Sequence, residues 1–241
     1  MSTKILTATV LGLLIFFTAC EEDEQSQKAQ ISLGFKAAQS TNMLKSVDTL
    51  VFDSVMVGIS EIEIESEQEA DDDGDDMEYE FEGPYQLDLL AGTKLSEVVV
   101  IEPGIYTELE AKMEPVLDNG YSIYIEAQYT DMQGITHPLV YYTDNDIDFE
   151  VENEEGIQVN DQEIKDLIVR IDLNGLFSNI DLSNAEMGGS GTILINEDNN
   201  EELADRIEEY LEEHAEFEED DDNDDNDNDD EDDEDDEGED E

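Results

Sequence analysis

Tryptophan is absent from this 241-residue chain, cysteine occurs once, and lysine and arginine together number nine. A lone cysteine makes no internal disulfide, so a folded body here rests on packing alone. Nine cations against 71 Asp and Glu give a formal net charge of −62. That charge repels phosphate and excludes nucleic acid as a partner. No apolar run reaches the ~20 residues of a bilayer-spanning helix. The two histidines, His137 and His214, lie too far apart in sequence to suggest a site. Gly188–Gly191 is not followed by the lysine of a phosphate loop, and Ser190 lacks the spacing of a nucleophile elbow. Carboxylate pairs occur throughout, so none singles out a glycosidase couple. An enzyme is not expected.

The stretch from Ile5 to Glu24 carries the most information. Lys4 precedes thirteen uncharged residues, Ile5–Phe17, and the run closes on Phe17-Thr18-Ala19-Cys20. The run is too short to span a bilayer but fits the apolar region of a secretory signal. Its last four residues resemble a bacterial lipoprotein box, in which cleavage before the cysteine exposes it for acylation. Cys20 is then the lipidation site, residues 1–19 a lipoprotein signal peptide, and residues 20–29 an acidic tether. Two acyl chains, at ~0.8 kcal/mol per buried CH₂, anchor a protein without any transmembrane helix. Glu21-Glu22-Asp23-Glu24 resembles the signal that sends some lipoproteins to the outer face of the outer membrane. The expected localisation is therefore a lipid-anchored, surface-exposed outer-membrane protein.

Charge is spread unevenly. Twenty of the 24 residues 218–241 are acidic, leaving 51 acids and 8 bases over residues 20–217. In the tail, carboxylates ~3.3 Å apart along an extended chain lie well inside a Debye length of ~8 Å, with nothing to bury. Residues 218–241 are expected to form a disordered acidic tail, which condenses divalent cations, meets a basic protein surface, or simply solubilises the body. Total charge also sets the body against an anionic lipid surface, leaving the anchor as the membrane contact.

Between tether and tail the pattern is mainly period two. Ile31, Leu33 and Phe35 alternate with Ser32, Gly34 and Lys36. In Thr49–Glu65, Val55, Val57 and Ile59 share one parity, and Ile62 and Ile64 the other. The flip predicts a bulge or turn near Ser60. Strands are read at Tyr79–Phe81 and Tyr85–Leu90, separated by Gly83-Pro84, and at Val98–Ile101. In the next strand Ile105, Thr107, Leu109, Ala111 and Met113 fall on one face, with Tyr106, Glu108, Glu110 and Lys112 on the other. The turn at Asp118-Asn119-Gly120 leads into Tyr121–Tyr129. Further strands follow at Leu139–Thr143, Ile147–Val151, Leu167–Leu173 and Thr192–Ile195, with a helical crossing at Gly175–Leu182. One amphipathic helix closes the body. Asn199 and Glu202 form a capping-box spacing before Leu203, Ile207, Tyr210, Leu211 and His214. The fold class is mainly β, an antiparallel β-sandwich over residues 30–217 with one C-terminal amphipathic helix.

Glu61-Ile62-Glu63-Ile64, Tyr85-Gln86-Leu87-Asp88-Leu89-Leu90 and Pro103-Gly104-Ile105-Tyr106-Thr107-Glu108-Leu109, in that order, resemble the core of an uncharacterised bacterial lipoprotein domain, domain-of-unknown-function family 4382. The resemblance covers residues 30–171. It implies a prealbumin-like or immunoglobulin-like sandwich and carries no assigned activity, so it transfers no functional residues.

Two carboxylate groupings are candidates for Ca²⁺. Glu69 to Gly74 with Glu80 places acids at loop positions one, three and five, glycine at six and glutamate at twelve. The leading Glu, Asp76 at position eight and the flanking strands argue against an EF-hand. What remains is a looser site among Asp71, Asp73 and Asp75, or a solvated hairpin loop. Asp144, Asp146 and Asp148 share one side of an extended segment, as a metal site, a wet face or a guard against edge pairing. The functional expectation is a non-catalytic binding or structural role in the cell envelope. The alternative is a Ca²⁺-dependent adhesion or glycan-binding module, and a hydrolase is the third reading.

Overall fold

The computed structural model describes residues 28–38, 49–66 and 77–220. Residues 1–19, Cys20 and the tether to residue 27, the loop with Asp71, Asp73 and Asp75, and the tail from residue 221 lie outside the described residues. The elements are β1 (Ala29–Ala38), β2 (Thr49–Ser66), β3 (Glu78–Asp88), β4 (Thr93–Ile101), β5 (Gly104–Met113), β6 (Ile123–Thr130), β7 (Thr136–Thr143), β8 (Ile147–Val159), β9 (Ile164–Asp172), α1 (Leu173–Ser178), β10 (Ile193–Ile195), α2 (Glu201–Glu209) and β11 (Ala215–Glu219). A four-stranded sheet runs β11-β9-β1-β4. A seven-stranded sheet runs β10-β7-β6-β2-β5-β8, with β3 paired to β2. The fold is mainly β, as the period-two pattern predicts. Most ladders are antiparallel; β1–β9 and β7–β10 run parallel, joined by connections long enough to return the chain.

Both sheets feed one hydrophobic core. Leu33 and Phe35 enter from the smaller sheet, and Ile62, Phe81, Tyr141 and Phe149 from the larger. β1 is sandwiched between β9 and β4, so Ser32 and Gly34, expected on a wet face, are buried. The Ser32 hydroxyl is satisfied there by the Asp166 carboxylate.

β2 organises the larger sheet. Its register shifts between Ile59 and Glu61, where the parity flip places a bulge. One edge pairs with β3. The other pairs first with β6, over Thr49–Val57, and then with β5, from Ile59 onward. The hand-over falls at Gly58, whose N–H donates to Ser122 O at 2.8 Å and whose C=O accepts from Glu114 N at 3.1 Å.

Three expectations are corrected. Gly83-Pro84 does not separate two strands, because β3 continues through it. Among the described residues its pairing partner is β2 alone, so proline is tolerated at this edge. In β5 the assigned faces exchange before Glu108. Thr107 opposes the four residues Asn153–Gly156 of β8, and this bulge turns Tyr106 inward while Ile105 is exposed. The Tyr106 hydroxyl donates to Glu102 O at 2.5 Å, and burial raises its pKa well above the tyrosine range.

The C-terminal boundary also moves. Asn199 does not cap the last helix. The Asn196 side chain accepts from Asn199 N at 2.8 Å and holds it in a turn, and Asn200, in left-handed conformation, precedes α2. α2 ends at Glu209, so Tyr210, Leu211 and His214 lie in the turns beyond it. The chain then adds β11 to the free edge of β9. Glu218 and Glu219, assigned to the acidic tail, belong to this strand. Phe217 is buried, Glu218 pairs with Arg170, and Glu219 lies 2.9 Å from Lys165 Nζ.

Candidate functional site

The alternation that sends Ile62, Ile64, Phe81, Leu109, Ala111, Phe149 and Val151 into the core sends every intervening side chain outward. Four adjacent strands, β3, β2, β5 and β8, keep this phase in register. One row across them reads Glu82, Glu61, Lys112, Asp148. The next reads Glu80, Glu63, Glu110, Glu150, and the third Glu78, Glu65, Glu108, Glu152. Eleven carboxylates and one ammonium thus tile a single sheet face. Strands lie ~4.8 Å apart, so neighbouring charges fall inside the screening length of ~8 Å at physiological salt.

Lys112 sits 2.9 Å from Glu61 Oε2 and 3.3 Å from Glu63 Oε1. These two contacts hold its ammonium above the ordinary lysine pKa. The Lys112 hydrogen bond lowers Glu61, whereas Glu63 is raised, first by its contact with Glu61 and then by burial. Glu108 is raised by burial, with Glu150, Glu65, Glu110 and Glu152 adding repulsion. Among the described residues the carboxylates that converge are Glu108, Glu110 and Glu150, whose oxygens lie within 4.8 Å of one another.

The sign of the pH dependence follows. Glu108 and Glu63 bind their protons more tightly in the folded chain than in the unfolded one. Their ionisation therefore costs stability as pH rises from the ordinary carboxylate value, ~4.3, through the raised folded values. Glu61 acts oppositely, and its contribution is lost as pH falls through its depressed value. Replacing Glu108 with Gln is expected to raise the thermal midpoint at pH 7 by about 1–3 °C. The gain should shrink to nothing once the wild-type group is protonated. Melting curves at pH 4 and pH 7 check this, and an equal shift at both would exclude the charge explanation.

The sequence-assigned acids are placed differently. Asp144 and Asp146 lie in the short irregular connection between β7 and β8, and Asp148 faces Lys112 across the β5–β8 ladder. Asp71, Asp73 and Asp75 lie outside the described residues. Among the described residues β3 and β8 each have one side unpaired, so their acids also guard against edge-to-edge pairing. Sequence reading places Glu108 and Glu110 on one face of a strand, with Tyr106 and Lys112. Their meeting with Glu150 depends on the β5–β8 register, which the bulge at Thr107 resets.

A second feature lies where the chain enters β6, beside β7. The Tyr121 ring stacks on Tyr142 at 4.3 Å and runs parallel to Tyr124 at 6.2 Å. The three rings are partly exposed. The Tyr124 hydroxyl donates to Glu126 at 2.6 Å, and that contact, with burial, pushes it up to about 12. Among the described residues no helix is long and apolar enough to cross a membrane. Comparison with protein-family models, with curated proteins and with solved structures finds no match.

Proposed function

We propose that this chain is a lipid-anchored cell-envelope protein on the outer membrane, facing outward, whose two-sheet body has a non-catalytic binding or structural role. The observation that carries this reading is the short apolar run ending at the chain's only cysteine, Cys20, with four acids directly behind it. The resemblance of residues 30–171 to an uncharacterised lipoprotein domain supports it. Mass spectrometry of the native protein tests it. The expected species begins at residue 20 and carries two or three acyl chains there. A bare Cys20, or residues 1–19 still attached, defeats the reading.

A second reading, that binding depends on Ca²⁺, is favoured by the convergence of Glu108, Glu110 and Glu150. Ca²⁺ takes oxygens at 2.3–2.6 Å, so ligands in one shell lie at most about 5 Å apart. That is the separation these three offer. A cation there relieves the carboxylate repulsion that adds to burial in raising Glu108, and the parallel tyrosine rings offer a stacking surface for a sugar. At Ca²⁺ a hundredfold above its Kd, the thermal midpoint is expected to rise by roughly 5–10 °C, from ~2.7 kcal/mol of linkage. The combined substitution E108Q/E110Q/E150Q is expected to abolish the rise. A rise that survives it but vanishes on neutralising Asp71, Asp73 and Asp75 moves the ion to that loop. No rise in wild type ends the cation reading.

A further inference from the structure

The acidic face is one side of a charge division that total charge conceals. β1, β4 and β9 carry four cations, Lys36, Lys94, Lys165 and Arg170, against three carboxylates, Glu97, Asp166 and Asp172. Lys94 pairs with Asp166 at 2.7 Å. β11 adds Glu216, Glu218 and Glu219, of which Glu218 meets Arg170 and Glu219 meets Lys165. The four-stranded sheet is therefore close to neutral in a chain of net charge −62.

The same sheet exposes an apolar patch. Val98 and Val100 on β4 are 49% and 48% exposed, and Ile164 on β9 is 72% exposed. They are neighbours by register. Gln30 of β1 pairs with Val100 on one side and Ile164 on the other, and Ser32 pairs with Val98. Gln30 is two residues beyond Lys28, where the described chain begins. The exposed apolar side chains therefore surround the point at which the tether enters the body.

We infer that the outer face of the four-stranded sheet, through Val98, Val100 and Ile164, rests on the lipid surface to which Cys20 is anchored. The inference depends on acylation of Cys20 as proposed above. Tether length supports it. Eight residue steps from Cys20 to Lys28 reach at most roughly 26–29 Å. A body of about 190 residues, with a radius of gyration of ~16 Å, is over 40 Å across. The side remote from Lys28 thus cannot be turned onto the bilayer while the anchor stays inserted. Of the faces within reach, the acidic one is repelled by anionic headgroups and dehydrates at high cost, whereas the near-neutral sheet does neither. Small apolar contacts suffice because the anchor already holds the patch at the interface, where the effective concentration is high.

Because the chain contains no tryptophan, Val100→Trp in the full acylated protein is a single reporter at an exposed site. Val51→Trp, at an exposed valine of the larger sheet (57%), is its control. On phosphatidylcholine vesicles, with and without phosphatidylglycerol, the reporter at position 100 is expected to shift to shorter wavelength and be quenched by brominated acyl chains. The reporter at position 51 should do neither. Flotation is read in parallel. Protein that floats while position 100 stays solvent-like overturns the docking face and leaves the anchor intact. Acylated protein that fails to float overturns the anchor. A shift that needs no vesicles and grows with protein concentration assigns the patch to a second copy and also overturns the inference.

Discussion

Gly83→Ala is expected to destabilise the protein by about 3 kcal/mol or more, lowering the thermal midpoint by roughly 6–12 °C. A Cβ built on Gly83 falls 2.5 Å from Ser60 O, 2.7 Å from Ile59 O and 2.9 Å from Ser60 C. All three are backbone atoms of the β2 bulge, so no side-chain rotation relieves the clash. Either β3 lifts away from β2 or the bulge shifts. The bulge lies just past Gly58, where β2 exchanges β6 for β5, and it sets the β5 register beyond it, so a shift there propagates into the alignment of the acidic rows. Gly120→Ala is the control. That glycine has φ +80° with nothing within 4 Å, so its cost is backbone strain alone, about 1 kcal/mol. Thermal or urea melting distinguishes them. Equal losses at the two sites would mean that the Gly83–Ser60 approach does not constrain the fold.

Gly83 also shows where sequence reading stops. The parity flip in β2 is a local signal, because one chain segment must present apolar residues to one core, and the bulge near Ser60 is legible from it. The partner that fits the bulge is not legible. Gly-Pro ordinarily punctuates, and here the glycine is used for close approach instead. Tyr106 fails in the same way. Within β5 the alternation from Ile105 to Met113 is unbroken, and only the four-residue excursion Asn153–Gly156 in β8 reveals a bulge that turns Tyr106 inward. At the other end, composition assigns Glu218 and Glu219 to a tail with nothing to bury. Phe217 supplies the burial, and Lys165 and Arg170 on β9 neutralise the acids, so the last strand extends into that segment. The carboxylate rows combine both cases. The outward phase of each strand is readable from its own residues, whereas the registers that set Glu110 between Glu63 and Glu150 are properties of pairs.

Removing residues 1–19 and replacing Cys20 with Ser is expected to transfer the protein completely from membrane to soluble fraction, with its thermal midpoint unchanged. The argument is one of magnitudes. A single myristoyl chain binds a bilayer with K of about 10⁴ M⁻¹, and a second chain at ~0.8 kcal/mol per CH₂ makes attachment stable. The patch at Val98, Val100 and Ile164 supplies far less. Its side chains are already partly covered, and full burial of a valine or isoleucine from full exposure is worth only about 1.5–3 kcal/mol. Electrostatics adds no attraction, since the body beyond that sheet is strongly anionic. If Cys20 is acylated as proposed, affinity resides in the lipid, and the inferred docking face sets only which way the body is turned. The two roles separate experimentally. The Cys20→Ser chain carrying Val100→Trp should show solvent-like emission on vesicles, whereas an acylated chain with charges at Val98 and Ile164 should still float. A Cys20→Ser chain that remains on the membrane would show that something other than acylation holds the protein there, and the orientation argued from an eight-residue tether would lose its premise.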